Sequence, residues 1–263
     1  MASGAVGWAI ICLKAEAAIR STTTPLLGPT DQGNGSGERS NVLRELAKSM
    51  SHLLGAARCI VAVDGVDGAG KTTFANALVP YTQAGGRTVI RASVDGFHNP
   101  RAVRYRRGRF DAQGFFEDSY DYASLRRYLL DPFLAGATSL HTARFDHVTD
   151  QTVDCTQACD GEQCVLLLDG IFLHRPELRE FWACSIFLEV PFDTTFARMA
   201  SRDGTPADPD EDRNRRYLMG QRLYLGQCRP AELATFVVDN GDFDQPKITR
   251  NRAGHFPREQ PSQ

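Results

Sequence analysis

Between positions 65 and 73 the chain reads Gly65-Val66-Asp67-Gly68-Ala69-Gly70-Lys71-Thr72-Thr73. That spacing suits phosphate chemistry. Glycines at 65, 68 and 70 let successive backbone N–H groups turn inward around phosphate oxygens, Lys71 reaches the β/γ-phosphates, and the Thr72 hydroxyl can hold Mg²⁺. An apolar run over residues 59–63 precedes the loop and a helix-forming stretch over 73–78 follows it. The positive end of that helix then faces the same anions.

Three acidic residues stand where apolar runs stop: Asp67 within the loop, Asp95 after the β-branched run 88–94, and Asp169 after residues 165–168. In an open parallel sheet a ligand lies beyond the carboxyl ends of the strands, so these acids are expected to share one site. Asp169, behind four apolar residues, is placed to support the Mg²⁺ beside Thr72. Asp95, in Val-Asp-Gly-Phe97-His98, is placed to take the proton of a hydroxyl attacking the γ-phosphate. His98, three residues on, is expected to face the acceptor.

Arginines form two groups. Five fall within residues 101–109, in a chain whose formal net charge is −2, and a solvated loop with one or two side chains turned to an anionic ligand explains them better than a nucleic-acid stripe. Arg198, Arg202, Arg213, Arg215 and Arg216 flank the polar, proline-containing stretch 203–212, which is expected to be a mobile lid. A lid arginine can neutralise the charge developing on a transferred phosphoryl group; Arg216 is the candidate for that role and Arg202 for the acceptor side.

To position these groups the chain alternates strand-like and helix-like segments, which argues for an α/β fold with a doubly wound parallel sheet. Segments 59–63, 88–94, 165–168, 185–190 and 235–238 are the expected strands, an amphipathic helix is expected from residues 40–41 to Gly55, and Leu125, Tyr128, Leu129 and Phe133 mark another over 122–134. Residues 40–248 form the expected folded domain, preceded by a weakly structured extension over 1–39 and followed by a disordered tail over 249–263. The apolar run 5–13 lacks preceding basic residues and is too short to span a bilayer. Seven cysteines at irregular spacing read as reduced thiols of a cytoplasmic protein. Neither composition nor charge points to a membrane or to nucleic acid as a partner; a small-molecule acceptor is expected, and a homo-oligomer is compatible with the sequence.

In order along residues 40–248, Gly65-Val-Asp-Gly-Ala-Gly-Lys-Thr, Asp95-Gly-Phe-His98, Arg144-Phe-Asp-His, Leu168-Asp-Gly-Ile-Phe, Phe187-Leu-Glu-Val and Arg216-Tyr217 together resemble the uridine kinase and phosphoribulokinase group of P-loop kinases. The resemblance implies a doubly wound sheet, ATP or GTP with Mg²⁺, and transfer to a hydroxyl, in nucleoside kinases the sugar 5′-hydroxyl. It implies Asp95 as base, Asp169 as metal support, and Phe97, His98 and Phe145 near the acceptor. Uridine kinases usually carry Tyr where His98 and Phe145 stand, a His shortly after the latter where this chain has Val148-Thr149-Asp150, and Glu where Asp169 stands. Nucleoside is thus the first acceptor expected, with a pantothenate-like acid or a sugar phosphate as alternatives. A non-catalytic nucleotide switch or NTPase is a reading of another class, weakened because no guanine-reading Asn-Lys-x-Asp occurs.

Overall fold

Residues 60 to 63 alternate between two cores, which is what places a sheet through the middle of the molecule. Ile60 and Ala62 pack with Ile90, Leu166, Phe97, Phe172 and Tyr224 on one face. Val61 and Val63 pack with Val165, Leu167, Ile186, Phe74 and Leu46 on the other. A side-chain period of two does this in any strand; when both faces are covered, the strand reads as one apolar run. The structure is a computed structural model and describes residues 34–55 and 57–254.

The strands are β1 (Cys59–Gly65), β2 (Thr88–Ser93), β3 (Ser139–Asp146), β4 (Gln151–Ala158), β5 (Cys164–Gly170), β6 (Trp182–Glu189), β7 (Phe236–Asp239) and β8 (Lys247–Asn251). Six form a sheet in the order β2-β5-β1-β6-β7-β8. All neighbouring pairs in it are parallel except β7 with β8. Register brings the chemistry to one edge: Asp169 lies opposite Val63 on one side and opposite Ser93 on the other, two residues before Asp95.

The longer helices are α1 (Asn34–Leu53), α2 (Lys71–Gln83), α3 (Ala112–Asp118), α4 (Phe192–Asp203) and α5 (Arg215–Cys228). α1 buries Leu43, Leu46 and Met50, followed by Leu54, at helical spacing. It begins at Asn34, inside the extension expected to be weakly structured, and Arg39 donates to the Phe243 carbonyl at 3.0 Å. Packing has overridden a glycine-rich composition there. At the other end, residues 249–251 belong to β8 rather than to a tail. The rest of the expected extension, 1–33, and of the expected tail, 255–263, lies outside the described residues.

Residues 122–134 are helical with a π turn at Arg126–Leu130, and they bury Leu125, Leu129, Leu130 and Phe133. The β3–β4 hairpin is an addition to the expected strands: Leu140, Ala143 and Phe145 point inward while β4 is largely exposed. Gly96 admits the hairpin, since a Cβ there would stand 2.8 Å from that of Ala143. Among the described residues no helix is long and apolar enough to cross a membrane.

Candidate active site

Strand β1 delivers the loop and α2 receives it. Gly68 and Gly70 have φ of 77° and 85°, a left-handed conformation that glycine adopts without steric cost. A Cβ at Gly68 would also collide with the Thr195 carbonyl, and one at Gly70 with the Phe243 ring. Gly65 and Asp67 are anchored through their N–H groups, which donate to Asp64 Oδ1 and Gln221 Oε1, both at 2.7 Å. Asn240 Nδ2 donates to the Ala69 carbonyl at 2.8 Å, and Arg198 reaches the Gly68 carbonyl at 3.4 Å. Lys71 rests on the Val66 carbonyl at 2.9 Å, 4.0 Å from Asp67. Burial raises the Asp67 carboxyl pKa, against the pull of Lys71. Thr73 follows in the first turn of α2 and lines the same cavity.

Thr72 and Asp169 meet. The hydroxyl donates to Asp169 Oδ2 at 2.6 Å, while Oδ1 takes an ion pair from Arg91 at 2.6 Å, and the carboxylate is almost wholly buried. A hydroxyl and an oriented carboxylate are the hard oxygen donors that Mg²⁺ takes in P-loop sites, so these residues fit that ion.

Asp95 is carried on the 3-10 turn Val94–Phe97, whose first N–H groups are capped by Ser93: the Asp95 N–H donates to Ser93 Oγ at 3.3 Å. Tyr120 OH donates to Asp95 Oδ1 at 2.9 Å. Crowding by protein atoms raises the Asp95 pKa, but His98, Lys71, His147 and the Tyr120 hydroxyl together outweigh it and hold the carboxyl below its usual range. Burial first, then Asp95, pushes the Tyr120 phenol well above its ordinary value, so it stays a donor. His98 Nδ1 lies 2.9 Å from the Asp95 carbonyl, and burial lowers the imidazole pKa to about 4. The neutral ring donates through Nδ1, leaving Nε2 as an acceptor. His98 stacks on His147 with centroids 4.4 Å apart.

Two cavities open from these groups. One of about 450 Å³ runs along Gly68, Gly70, Lys71, Thr72, Arg198 and Phe243; the other, about 300 Å³, lies among His98, Arg104, Tyr120, His147, Thr205 and Tyr217. Asp67, Asp95 and Arg202 line both. Arg198 lies over the Phe243 ring at 3.7 Å, a flat wall for a nucleobase.

Several expected residues stand elsewhere or do other work. Arg216 is buried and spends its guanidinium on the carbonyls of Arg104, Gly108, Arg109 and Asp111, at 2.9 to 3.3 Å. It clamps the arginine-rich loop and is not free to follow a phosphoryl group. Arg202 reaches the cavities but is paired with Asp203 at 2.6 Å and largely exposed. Phe97 and Phe145 are buried, at 1% and 7% exposure, and line neither cavity. Both are inward-facing core positions, one on the 3-10 turn and one on the hairpin. Arg106 and Arg107 pair with Asp118, leaving Arg104 as the member of that run that lines the smaller cavity together with Arg216. Within the stretch expected to be a lid, Asn214 Nδ2 donates to the Pro206 and Asp208 carbonyls at 2.8 and 2.7 Å. Sequence reasoning placed Arg198 only among the arginines flanking the polar stretch, and gave Gln221, Asn240 and Phe243 no contact with the loop, because each meets it from more than a hundred residues away.

A mostly parallel sheet with a Gly-x-x-x-x-Gly-Lys-Thr loop between first strand and helix, and acids at the neighbouring strand ends, is the fold of a P-loop kinase. Solved structures share it. A possible uridine kinase from Bacillus stearothermophilus superposes with a TM-score of 0.61 at 24% identity, over 75% of this chain and 97% of that one. A candidate fructose transport system kinase from Silicibacter sp. TM1040 gives 0.57 at 25% identity, over 70% and 94%. D-glycerate 3-kinase from Cryptococcus neoformans var. grubii gives 0.51 at 11% identity, over 80% and 98%. No protein-family model matches the chain, and no curated protein does. The fold is that of the phosphoribulokinase and uridine kinase group of P-loop kinases.

Proposed function

We propose that the protein transfers the γ-phosphoryl group of ATP, with Mg²⁺, to a hydroxyl of a small metabolite. One observation carries this reading: Asp95, a carboxylate held ionised, lines both the cavity around the phosphate-binding loop and the smaller cavity next to it. A hydroxyl bound in the smaller cavity loses its proton to Asp95 as its oxygen bonds to phosphorus, and the bond from phosphorus to the departing nucleoside diphosphate oxygen breaks. Lys71 and the loop amides hold the β/γ-phosphates. Thr72 and Asp169 would hold Mg²⁺, which when bound offsets phosphate charge. Arg198 and Phe243 form the wall against which the base stacks; stacking accepts adenine and guanine alike, so GTP is a second donor.

A nucleoside is the acceptor that the family resemblance suggests first. Acceptor-stimulated ADP release by the purified protein, compared with the Asp95→Asn variant, tests the reading. The substitution keeps shape but removes basicity, so turnover should fall by roughly 10²–10⁴ with ATP affinity nearly unchanged. Acceptor-independent hydrolysis that survives in Asp95→Asn would instead make the protein an NTPase or a nucleotide switch.

A further inference from the structure

We propose that Tyr120 is a positioning residue for proton transfer to Asp95, its phenol fixing one carboxylate oxygen and turning the other to the acceptor hydroxyl; this rests on the phosphoryl-transfer reading above. Tyr120 OH donates to Asp95 Oδ1 at 2.9 Å, and among the described residues no group donates to Oδ2. The terminal torsion of an aspartate is broad and nearly two-fold, so a carboxylate turns unless a donor holds it. One fixed oxygen decides where the other points.

The phenol is itself held. His98 and Tyr120 form an antiparallel backbone bridge, the Asn99 N–H donates to the Ser119 carbonyl at 2.9 Å, and the Asp121 N–H donates to the Phe97 carbonyl at 2.8 Å. Residues 119–121 therefore run beside the turn that carries Asp95, although 25 positions separate the base from the phenol. The Tyr120 ring is buried and packs with His98, centroids 4.4 Å apart, and edge-on with Phe172 at 6.3 Å. Phe172 comes three residues after Asp169, just beyond β5, so one ring ties Asp95 to the strand that ends in the acid proposed to support Mg²⁺. Burial first, then Asp95, keeps the phenol protonated and a donor.

Asp67 supplies the contrast. Its carboxyl lines the same two cavities, yet among the described residues no group donates a hydrogen bond to it, and Lys71 stands 4.0 Å away. Of the two acids, only Asp95 is aimed. Against the burial that raises it, the phenol joins His98, Lys71 and His147 in lowering the Asp95 pKa, which weakens the base. Phosphoryl transfer tolerates that loss, because in a loose transition state the attacking oxygen needs direction more than activation.

The test is Tyr120→Phe in the full chain, which removes the hydroxyl and keeps the ring. Uridine, pantothenate and ribulose 5-phosphate serve as acceptor probes. With any that is phosphorylated, kcat should fall by about 10- to 10²-fold, while KM for ATP and for the acceptor stays within about twofold. The acid limb of kcat should move to higher pH, since the phenol stabilises the charged carboxylate and its loss raises the pKa. His98, Lys71, His147, Asp67 and Arg202 also face Asp95 and remain in the variant, so that movement reports the phenol. Carbon-13 NMR of the Asp95 carboxyl, assigned with Asp95→Asn, should show the same upward movement in the free protein. A raised acceptor KM at unchanged kcat would make Tyr120 a substrate contact, and an unmoved carboxyl would show that the phenol does not hold Asp95; either overturns the proposal. Turnover lost in Asp95→Asn but untouched in Tyr120→Phe removes the positioning role and leaves the transferase. The carboxyl titration needs no acceptor, so it decides the hold of Tyr120 on Asp95 even where wild type phosphorylates none of the probes, a result that counts against the transferase alone. Retained ATP affinity and melting temperature in Tyr120→Phe exclude simple unfolding.

Discussion

Asp95 and His98 titrate in a way that can be read in the pH dependence of the reaction. In the proposed reaction Asp95 works as the carboxylate, so activity should fall only as pH drops through its lowered pKa. His98, whose ordinary value of 6.5 is brought to about 4, is neutral at any higher working pH. We expect kcat/KM to stay flat on its acid side from about pH 8 down to about pH 5. An inflection near 6.5 in wild type, absent in His98→Gln, would show that the imidazole charges during catalysis and that its lowered pKa is wrong.

At the scale of elements, α5 does three jobs that need it close to α3. It carries Arg216, which clamps the loop 104–111, it carries Gln221, which holds the Asp67 N–H, and it lets Gly220 approach the other helix. A Cβ at Gly220 would stand 2.6 Å from the Phe115 ring and 2.9 Å from the Ala112 carbonyl, and the carbonyl is backbone that cannot swing aside. Gly220→Val should cost about 1–3 kcal/mol of stability by overpacking. Because the displaced helix takes Gln221 and Arg216 with it, KM for ATP and for the acceptor should both rise. Thermal unfolding with steady-state kinetics checks this, and a stable variant with unchanged KM values would separate the helix contact from the site.

Across the whole molecule, a buried polar network ties the phosphate loop to both the sheet and α5. Asp64 accepts from the Gly65 N–H at 2.7 Å and from Tyr224 OH, while His174 Nδ1 lies 2.5 Å away and His174 Nε2 lies 3.0 Å from Ser185 Oγ on β6. All four side chains are buried. Asp64→Asn turns one oxygen into an N–H facing donors, and leaving a buried polar group of this network unpaired costs about 1–3 kcal/mol. A chain of this size should then lose roughly 2–12 °C in Tm, at about 2–4 °C per kcal/mol. ATP affinity should fall as well, because Asp64 orients the first amide of the loop. Calorimetry and ATP titration would read both, and an unchanged Tm would show that the network tolerates a neutral partner.

Some of this was determined by the sequence alone. A phosphate loop is a local object, seven or eight residues whose spacing is its chemistry, and a buried parallel strand announces itself as an apolar run with an acid at its end. Thr72, Asp95 and Asp169 could therefore be named as candidates without coordinates, and the layered α/β architecture could be read outright. The smaller cavity could not, because it is assembled from a helical turn, a hairpin, the loop after α4 and α5, all distant in sequence. Only the tertiary structure decided that Arg216 is a clamp, that Phe97 and Phe145 face the core, and that Arg198 with Phe243 walls the larger cavity along the glycine-rich loop. An arginine or an aromatic has no fixed role in a sequence; its role comes from whether the fold leaves its donors or its ring surface a protein partner.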